Sequence, residues 1–273
     1  MAASIVNERI NSRLLQLRAM AYTPGTDRDM LNTAEKLARL RERAREMGYL
    51  RFAVTNTEGL SITTDGKTLN TGTEPQFLRA SSSFAATSPI FKDRLTDAAG
   101  VRNNIIVLEV PMFKGANIIG TLSATMKASS ASLMLDDIDI RYSGAGLFLI
   151  DSNFRVIACS DISQDSLLKK GSGRLLYYYL SDILSTDEQA SIARTLRGGL
   201  ADNVYLYTPK RGGLCLSFAP LPASDGWALV SVSSSSGIRD SQISLLMRFG
   251  SAFFLMVLLL VATTAYLYVI HWK

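Results

Sequence analysis

The side chains that usually carry catalysis are scarce in this chain. Its only histidine, His271, is third from the C-terminus and follows a long apolar run. Serine–histidine relays, histidine metal ligands and histidine general bases are therefore excluded from everything before that run. The two cysteines, Cys159 and Cys215, each sit in an apolar, strand-like stretch (VIACS and LCLSF). Buried free thiols suit such stretches, and the sequence alone leaves one disulfide open. Asp136, Asp137 and Asp139 form an acidic cluster without the spacing of a calcium loop, so a solvated turn is the simpler reading. Gly144-x-Gly146 and Gly171-x-Gly173 are too short to cradle a phosphate. No catalysis, metal or cofactor is expected. The chemistry left is recognition. Ser123 and Thr125 alternate along NIIGTLSATMK and so share one face of a strand, as pocket lining or as an ordinary sheet face.

The totals fit a folded domain. Hydrophobic residues make up 47% and charged residues 19% of 273, a globular rather than a disordered balance. The net charge of +5 is modest and dispersed, so nucleic acid is not an expected partner. The densest basic run (Lys36, Arg39, Arg41, Arg43, Arg45) is interleaved with Glu35, Glu42 and Glu46, which reads as a solvated helix face.

The elements follow from periodicity. Val6, Ile10, Leu14, Leu17 and Ala21 recur at helical spacing. Pro24-Gly25 interrupts, and Met30, Ala34, Leu37, Ala44 and Met47 resume the period up to Gly48. From Tyr49 the pattern is extended: YLRFAVTN, the turn Thr57-Glu58-Gly59, then LSITT. Pro75 opens a short helix over Gln76 to Ser82, and Phe84 to Phe91 reads as an edge strand. NIIVLEVPM and NIIGTLSATMK form a hairpin through Lys114-Gly115. The order then restarts with GLFLID and RVIACS, a helix from about Thr186 to Arg197 behind a Ser185–Glu188 capping box, and three more strands. EVPMFKGANIIGTLSA and FAPLPASDGWALVSVS share the order strand, proline, glycine turn, strand, a weak internal repeat. The fold class expected is α+β, with antiparallel sheets.

Phe249 to Ile270 (FGSAFFLMVLLLVATTAYLYVI) carries no charge and no proline. As a helix it measures about 33 Å, enough to cross the ~30 Å hydrocarbon core of a bilayer. Met1 leads straight into an amphipathic helix with no leader or first span, as expected of a piece of a longer protein. Taken literally, the same layout would be a tail-anchored cytosolic protein.

A long N-terminal helix, two sheet units and a membrane helix in that order resemble the double Cache sensor domain, a tandem PAS-like extracytoplasmic module of bacterial transmembrane receptors. The matching pieces are FAVTNTEG, EPQFLRA, SPIFKDRLTDAAG, IIVLEVPMFKGANIIGTLSA, GLFLIDSNFRVIA and APLPASDGWALVSVS, over roughly Ser4 to Ser236. The resemblance implies a helical stalk (residues 1–48), a membrane-distal module (49–135), a membrane-proximal module (136–236) and a juxtamembrane and transmembrane helix (237–273). It implies location in the cell membrane with residues 1–247 outside the cytoplasm. It also implies an output domain of diguanylate cyclase type first and histidine kinase type second. The implied function is sensing of an unidentified small molecule, passed through the C-terminal helix. The alternative is a membrane-anchored interaction or dimerisation module with no small ligand, and a homodimer is expected on either reading.

The resemblance also places a site in the distal module. Members that bind amino acids hold the carboxylate with an arginine opening the short helix and the amine with an aspartate on the last strand. Those positions fall on Glu74 and Thr125 here, so an α-amino acid is not expected as ligand. The candidate ligand-binding residues are Phe77, Arg79, Ser81, Phe91, Asp93, Ser123 and Thr125.

Overall fold

The computed structural model describes residues 1–22, 34–82, 84–96, 100–135, 138, 146–160, 184–208 and 212–234, with residues 253, 254, 256, 257 and 259 near the C-terminus. Helix α1 (Ala2–Ala21) is followed by α2 (Ala34–Glu46). Strands β1 (Arg51–Asn56), β2 (Leu60–Thr63) and β3 (Thr68–Asn70) come next, then the short helix α3 (Pro75–Ala80) and two two-residue strands, β4 (Ala86–Thr87) and β5 (Phe91–Lys92). The long hairpin β6 (Asn104–Lys114) and β7 (Asn117–Lys127) completes a first antiparallel sheet in the order β3-β2-β1-β7-β6-β4, with β5 also on β6. A 3-10 helix (Ala128–Met134) leads out of it.

A second antiparallel sheet holds β8 (Gly146–Ile150), β9 (Val156–Cys159), β10 (Asp202–Thr208), β11 (Gly212–Pro220) and β12 (Ala228–Ser234), in the order β10-β11-β12-β8-β9. Helix α4 (Thr186–Arg197) precedes β10, and its expected capping box is present: Ser185 accepts from the Glu188 amide while the Glu188 carboxylate accepts from the Ser185 amide. Mixed helix and antiparallel sheet, with a helix at the N-terminus, is thus the observed class.

One apolar core ties both sheets to α1. Val6, Ile10, Leu14 and Leu17, the stripe read from the sequence, are buried against Phe52, Val54, Leu108, Val110, Leu122 and Met126 of the first sheet. The same cluster continues into Leu147, Leu149, Trp227 and Leu229 of the second. Strand residues alternate between faces, so the partners of this set point the other way. In the second sheet those are Phe148, Ile150, Leu216, Phe218 and Val230, sealed by Ile192 of α4 into an apolar cluster of their own. In the first sheet they are mostly polar.

The sheets also meet through hydrogen bonds from segment 86–94. The Trp227 indole Nε1 donates to the Ser88 carbonyl at 3.0 Å. The Thr87 amide donates to Asp225 Oδ2 at 3.2 Å, and the Asp225 amide to Thr87 Oγ1 at 2.7 Å. The Ile90 amide donates to Asp151 Oδ2 at 3.0 Å. Trp227 is 1% exposed, so Trp227→Phe, which strands the Ser88 carbonyl, is expected to lower the free energy of unfolding by about 1–3 kcal/mol in a urea titration.

Among the described residues no helix is long and apolar enough to cross a membrane. The span expected over 249–270 falls almost wholly outside them; its described members Phe253, Phe254, Met256, Val257 and Leu259 are helical and exposed. The acidic cluster at Asp136, Asp137 and Asp139 lies outside the described residues. No disulfide joins Cys159 and Cys215.

Candidate functional site

The polar face of the first sheet lines a pocket. Strand β1 contributes Arg51, Ala53 and Thr55, β2 Ser61 and Thr63, β6 Ile105, Val107 and Glu109, and β7 Ser123 and Thr125. Each set is spaced two apart, as one pleated face requires. Glu74 of the turn before α3 and Phe91, Asp93 and Arg94 of the following segment close the rim. The free volume left is about 40 Å³, room for roughly three waters, because the lining side chains fill the space themselves.

Five of those side chains carry charge. Arg51 and Asp93 form a two-pronged ion pair, Nη1 to Oδ2 at 2.8 Å and Nη2 to Oδ1 at 2.6 Å, and both residues are buried. Asp93 Oδ1 also accepts from the Leu95 amide at 2.9 Å. Arg94 bonds Glu74 at 2.8 Å, and Gln76 Nε2 donates to the other Glu74 oxygen at 2.5 Å. Burial raises the Glu74 carboxyl above its ordinary pKa, with Arg94 and Gln76 opposing.

Glu109 differs from these. It is 3% exposed and accepts from the Thr121 hydroxyl at 2.5 Å, and among the described residues no cation lies within ion-pair distance of it. Burial pushes its carboxyl up to about 7; Thr121 opposes the shift and Glu74 adds to it. Two arginines are thus offset by two acids, and a third acid stands buried without a counter-charge. A cation that entered would meet an acceptor already stripped of water.

Of the seven candidate residues, Phe91, Asp93, Ser123 and Thr125 line this pocket. Phe77, Arg79 and Ser81 do not. Phe77 is buried beside Gly59. Arg79 points outward and pairs with Asp225 of the second sheet at 2.5 Å. The Ser81 hydroxyl turns back to the Leu78 carbonyl. Sequence reasoning passed over Arg51, Arg94, Glu74 as an acid in the rim, and Glu109. A signal for two of them existed: each is a lone charge inside an otherwise apolar strand, RFAV and IIVLEV.

No family model matches the chain, and no curated protein does. Solved structures do. The ligand-binding domain of the amino-acid chemoreceptor PctB of Pseudomonas aeruginosa, solved with L-arginine, is 15% identical, with a TM-score of 0.58 over 86% of this chain and 91% of that one. The extracellular domain of the putative histidine kinase mmHK1S-Z3 is 12% identical, with a TM-score of 0.59 over 88% and 92%. The sensory domain of the Campylobacter jejuni chemoreceptor Tlp3, with isoleucine bound, is 13% identical, with a TM-score of 0.54 over 87% and 90%. The fold is that of extracellular sensory domains of the Cache type, as the sequence resemblance implied. These are sensory domains rather than enzymes.

One expectation is corrected. The exclusion of an α-amino acid ligand does not stand, because domains of this fold are solved with isoleucine, arginine, glutamine and valine. The physical reason is visible in the pocket. The exclusion assumed that charge must come from the positions of Glu74 and Thr125, whereas Arg51, Arg94 and Glu109 bring both signs from β1, β6 and the segment after β5.

Proposed function

We propose that this chain is the extracytoplasmic sensing part of a transmembrane signalling receptor, and that the first-sheet pocket binds a small ammonium-bearing molecule, an α-amino acid or a related amine. The observation that carries the reading is Glu109, a buried carboxylate in a polar pocket with no cation within ion-pair distance among the described residues. The apolar face of the second sheet under α4 supports placing the ligand in the first. Phe91, Asp93, Ser123 and Thr125 are its wall. The amino acids held by PctB and Tlp3 favour the same ligand class.

On this reading the two sheets are tandem PAS-like modules, membrane-distal (49–135) and membrane-proximal (136–236). Residues 237–273 tie them to the cell membrane, with 1–247 outside the cytoplasm. The exposed side chains of Phe253, Phe254, Met256, Val257 and Leu259 support that attachment. The output is of diguanylate cyclase or histidine kinase type, and the likeness to a histidine kinase's extracellular domain favours the second.

The full chain in detergent is the material for the test. The probes are the L-amino acids and simple alkyl amines and diamines, read by thermal shift at pH 8. At a hundred times its Kd a ligand adds about 2.7 kcal/mol of stability, a rise of several degrees. At least one probe is expected to give that rise in wild type and to lose it in Glu109→Gln. A panel with no response from wild type would sink the ligand assignment.

A further inference from the structure

The Arg51–Asp93 pair sits where a ligand would have to go. Arg51 projects from the start of β1 into the pocket, and its guanidinium is engaged on both prongs by one carboxylate of the chain itself. Fork-to-fork pairing of this kind is how proteins grip a free carboxylate. The free volume of about 40 Å³ excludes a ligand unless something on the wall gives way.

Asp93 is the wall residue placed to give way. Arg51 opens β1 and pairs there with Thr125 of β7, in a strand that is bonded further along to both β2 and β7. Asp93 lies just past β5, which meets its neighbour through only two residue pairs, Phe91 with Ile105 and Lys92 with Asn104. The other end of the same segment is bonded to the second sheet, through Thr87 to Asp225, Ser88 to Trp227 and Ile90 to Asp151. One short stretch of chain therefore has a carboxylate on the ligand-facing arginine and three residues hydrogen-bonded to the other sheet.

We propose that Arg51 is the carboxylate anchor of the pocket and that Asp93 is its built-in placeholder, so that a ligand carboxylate takes Arg51 only by displacing Asp93 and with it shifting segment 86–94 against the second sheet. This rests on the pocket reading above and deepens it. An amino acid would set its ammonium at Glu109 and its carboxylate at Arg51, and the anchor missing at Glu74 is replaced from another strand. The exchange of one carboxylate for another nearly conserves the electrostatics at Arg51, so the signal is the freed segment rather than a new charge.

The experiment is chemical rescue of Asp93→Ala in the full chain, with acetate as the probe. Removing one partner of a buried pair is expected to lower the melting temperature by about 6 to 12 °C. High-millimolar acetate should recover at least about half of that loss, and acetamide or sodium chloride at equal concentration should not. In the double variant Arg51→Met, Asp93→Ala the acetate response should vanish. Asp93→Ser, which keeps an acceptor for the Leu95 amide, replaces the alanine variant should that one not fold. Rescue absent in both variants, or undiminished without Arg51, overturns the anchor. Hydrogen exchange reads the segment: in acetate, with global stability recovered, the Thr87 and Ile90 amides of the variant should still exchange about tenfold faster than in wild type. Wild-type rates there overturn the coupling. Acetate tests only whether Arg51 accepts an outside carboxylate, so an amino-acid panel silent on wild type would sink the ligand class and leave this result legible.

Discussion

Glu109→Gln is expected to make the domain more stable at pH 8 and to remove its affinity for ammonium ligands. Both effects come from one carboxyl. Glu109 is buried on the polar face of the first sheet, with a threonine hydroxyl as partner and Glu74 as a like-charged neighbour. Burial is the largest cause of its raised pKa, about 7 against an ordinary 4.5. The sign follows from linkage. A group whose folded pKa is raised stabilises fully below the unfolded value, and that stabilisation is lost as pH rises through the folded value. The domain should therefore lose stability between about pH 4.5 and somewhat above pH 7, by a ceiling of about 3 kcal/mol. Glutamine keeps the acceptor for Thr121 and cannot ionise, so the variant should lose less stability than wild type over that window and stand above it at the alkaline end. Urea titrations at pH 5 and pH 8 measure it. A wild-type protein equally stable at both values, with Glu109→Gln unchanged, would refute the assignment.

Ligand binding should move the opposite way with pH. The ionised carboxylate is the form that accepts an ammonium, so affinity is expected to weaken as pH falls through 7. Truncating one partner of a buried charge pair costs about 2–5 kcal/mol, roughly a 30- to 5000-fold loss in affinity for Glu109→Gln. Stability gained and binding lost in the same variant is the usual signature of a site kept strained for function.

What the sequence made legible depended on whether the signal was local. The α1 stripe, the β6–β7 hairpin and the α4 capping box are all set by residues a few positions apart, and the structure has each where the pattern put it. Strand β3 was not anticipated: Thr68–Asn70 is three residues long and is fixed by pairing with β2, not by its own composition. Phe84 to Phe91 read as one strand because its residues are β-prone, but β4 and β5 make only two pairings each. The partners that Thr87, Ser88 and Ile90 bind across the two sheets are 61 to 139 positions away, beyond any window. The site was half legible. Alternation put Ser123 and Thr125 on the right face, whereas Arg51 and Glu109 gain meaning only when β1, β7 and β6 lie side by side and their charged faces coincide. The resemblance pointed to the start of helix α3, whereas Arg51 and Glu109 sit on strands.

The largest loss of stability from a single methyl group is expected at Gly120. Its φ is +154°, in the region that residues with a side chain scarcely populate, and a Cβ there would lie 2.1 Å from the carbonyl oxygen of Thr55. That carbonyl is backbone and cannot swing aside. Gly120 pairs with Asn56 at the end of β1, and on its other side β6 and β7 change register between Met112 and Phe113. The register shift on one side and the Thr55 carbonyl on the other leave no room for a side chain at this position. Gly120→Ala has to part β1 from β7, and those two strands carry Arg51, Thr55, Ser123 and Thr125. A cost of about 3 kcal/mol or more is expected in urea, well above the typical substitution. Amide protection should be lost first along β1 and β7, and the ligand response should go with it. Gly115 at the hairpin tip is the control: its φ is +64°, yet an added Cβ meets nothing within 4 Å. Gly115→Ala should thus cost only the strain of its backbone angle, about 1 kcal/mol, and leave the pocket working. Equal effects at the two positions would mean that backbone angle alone matters, and that the close approach of β1 to β7 does not hold the site together.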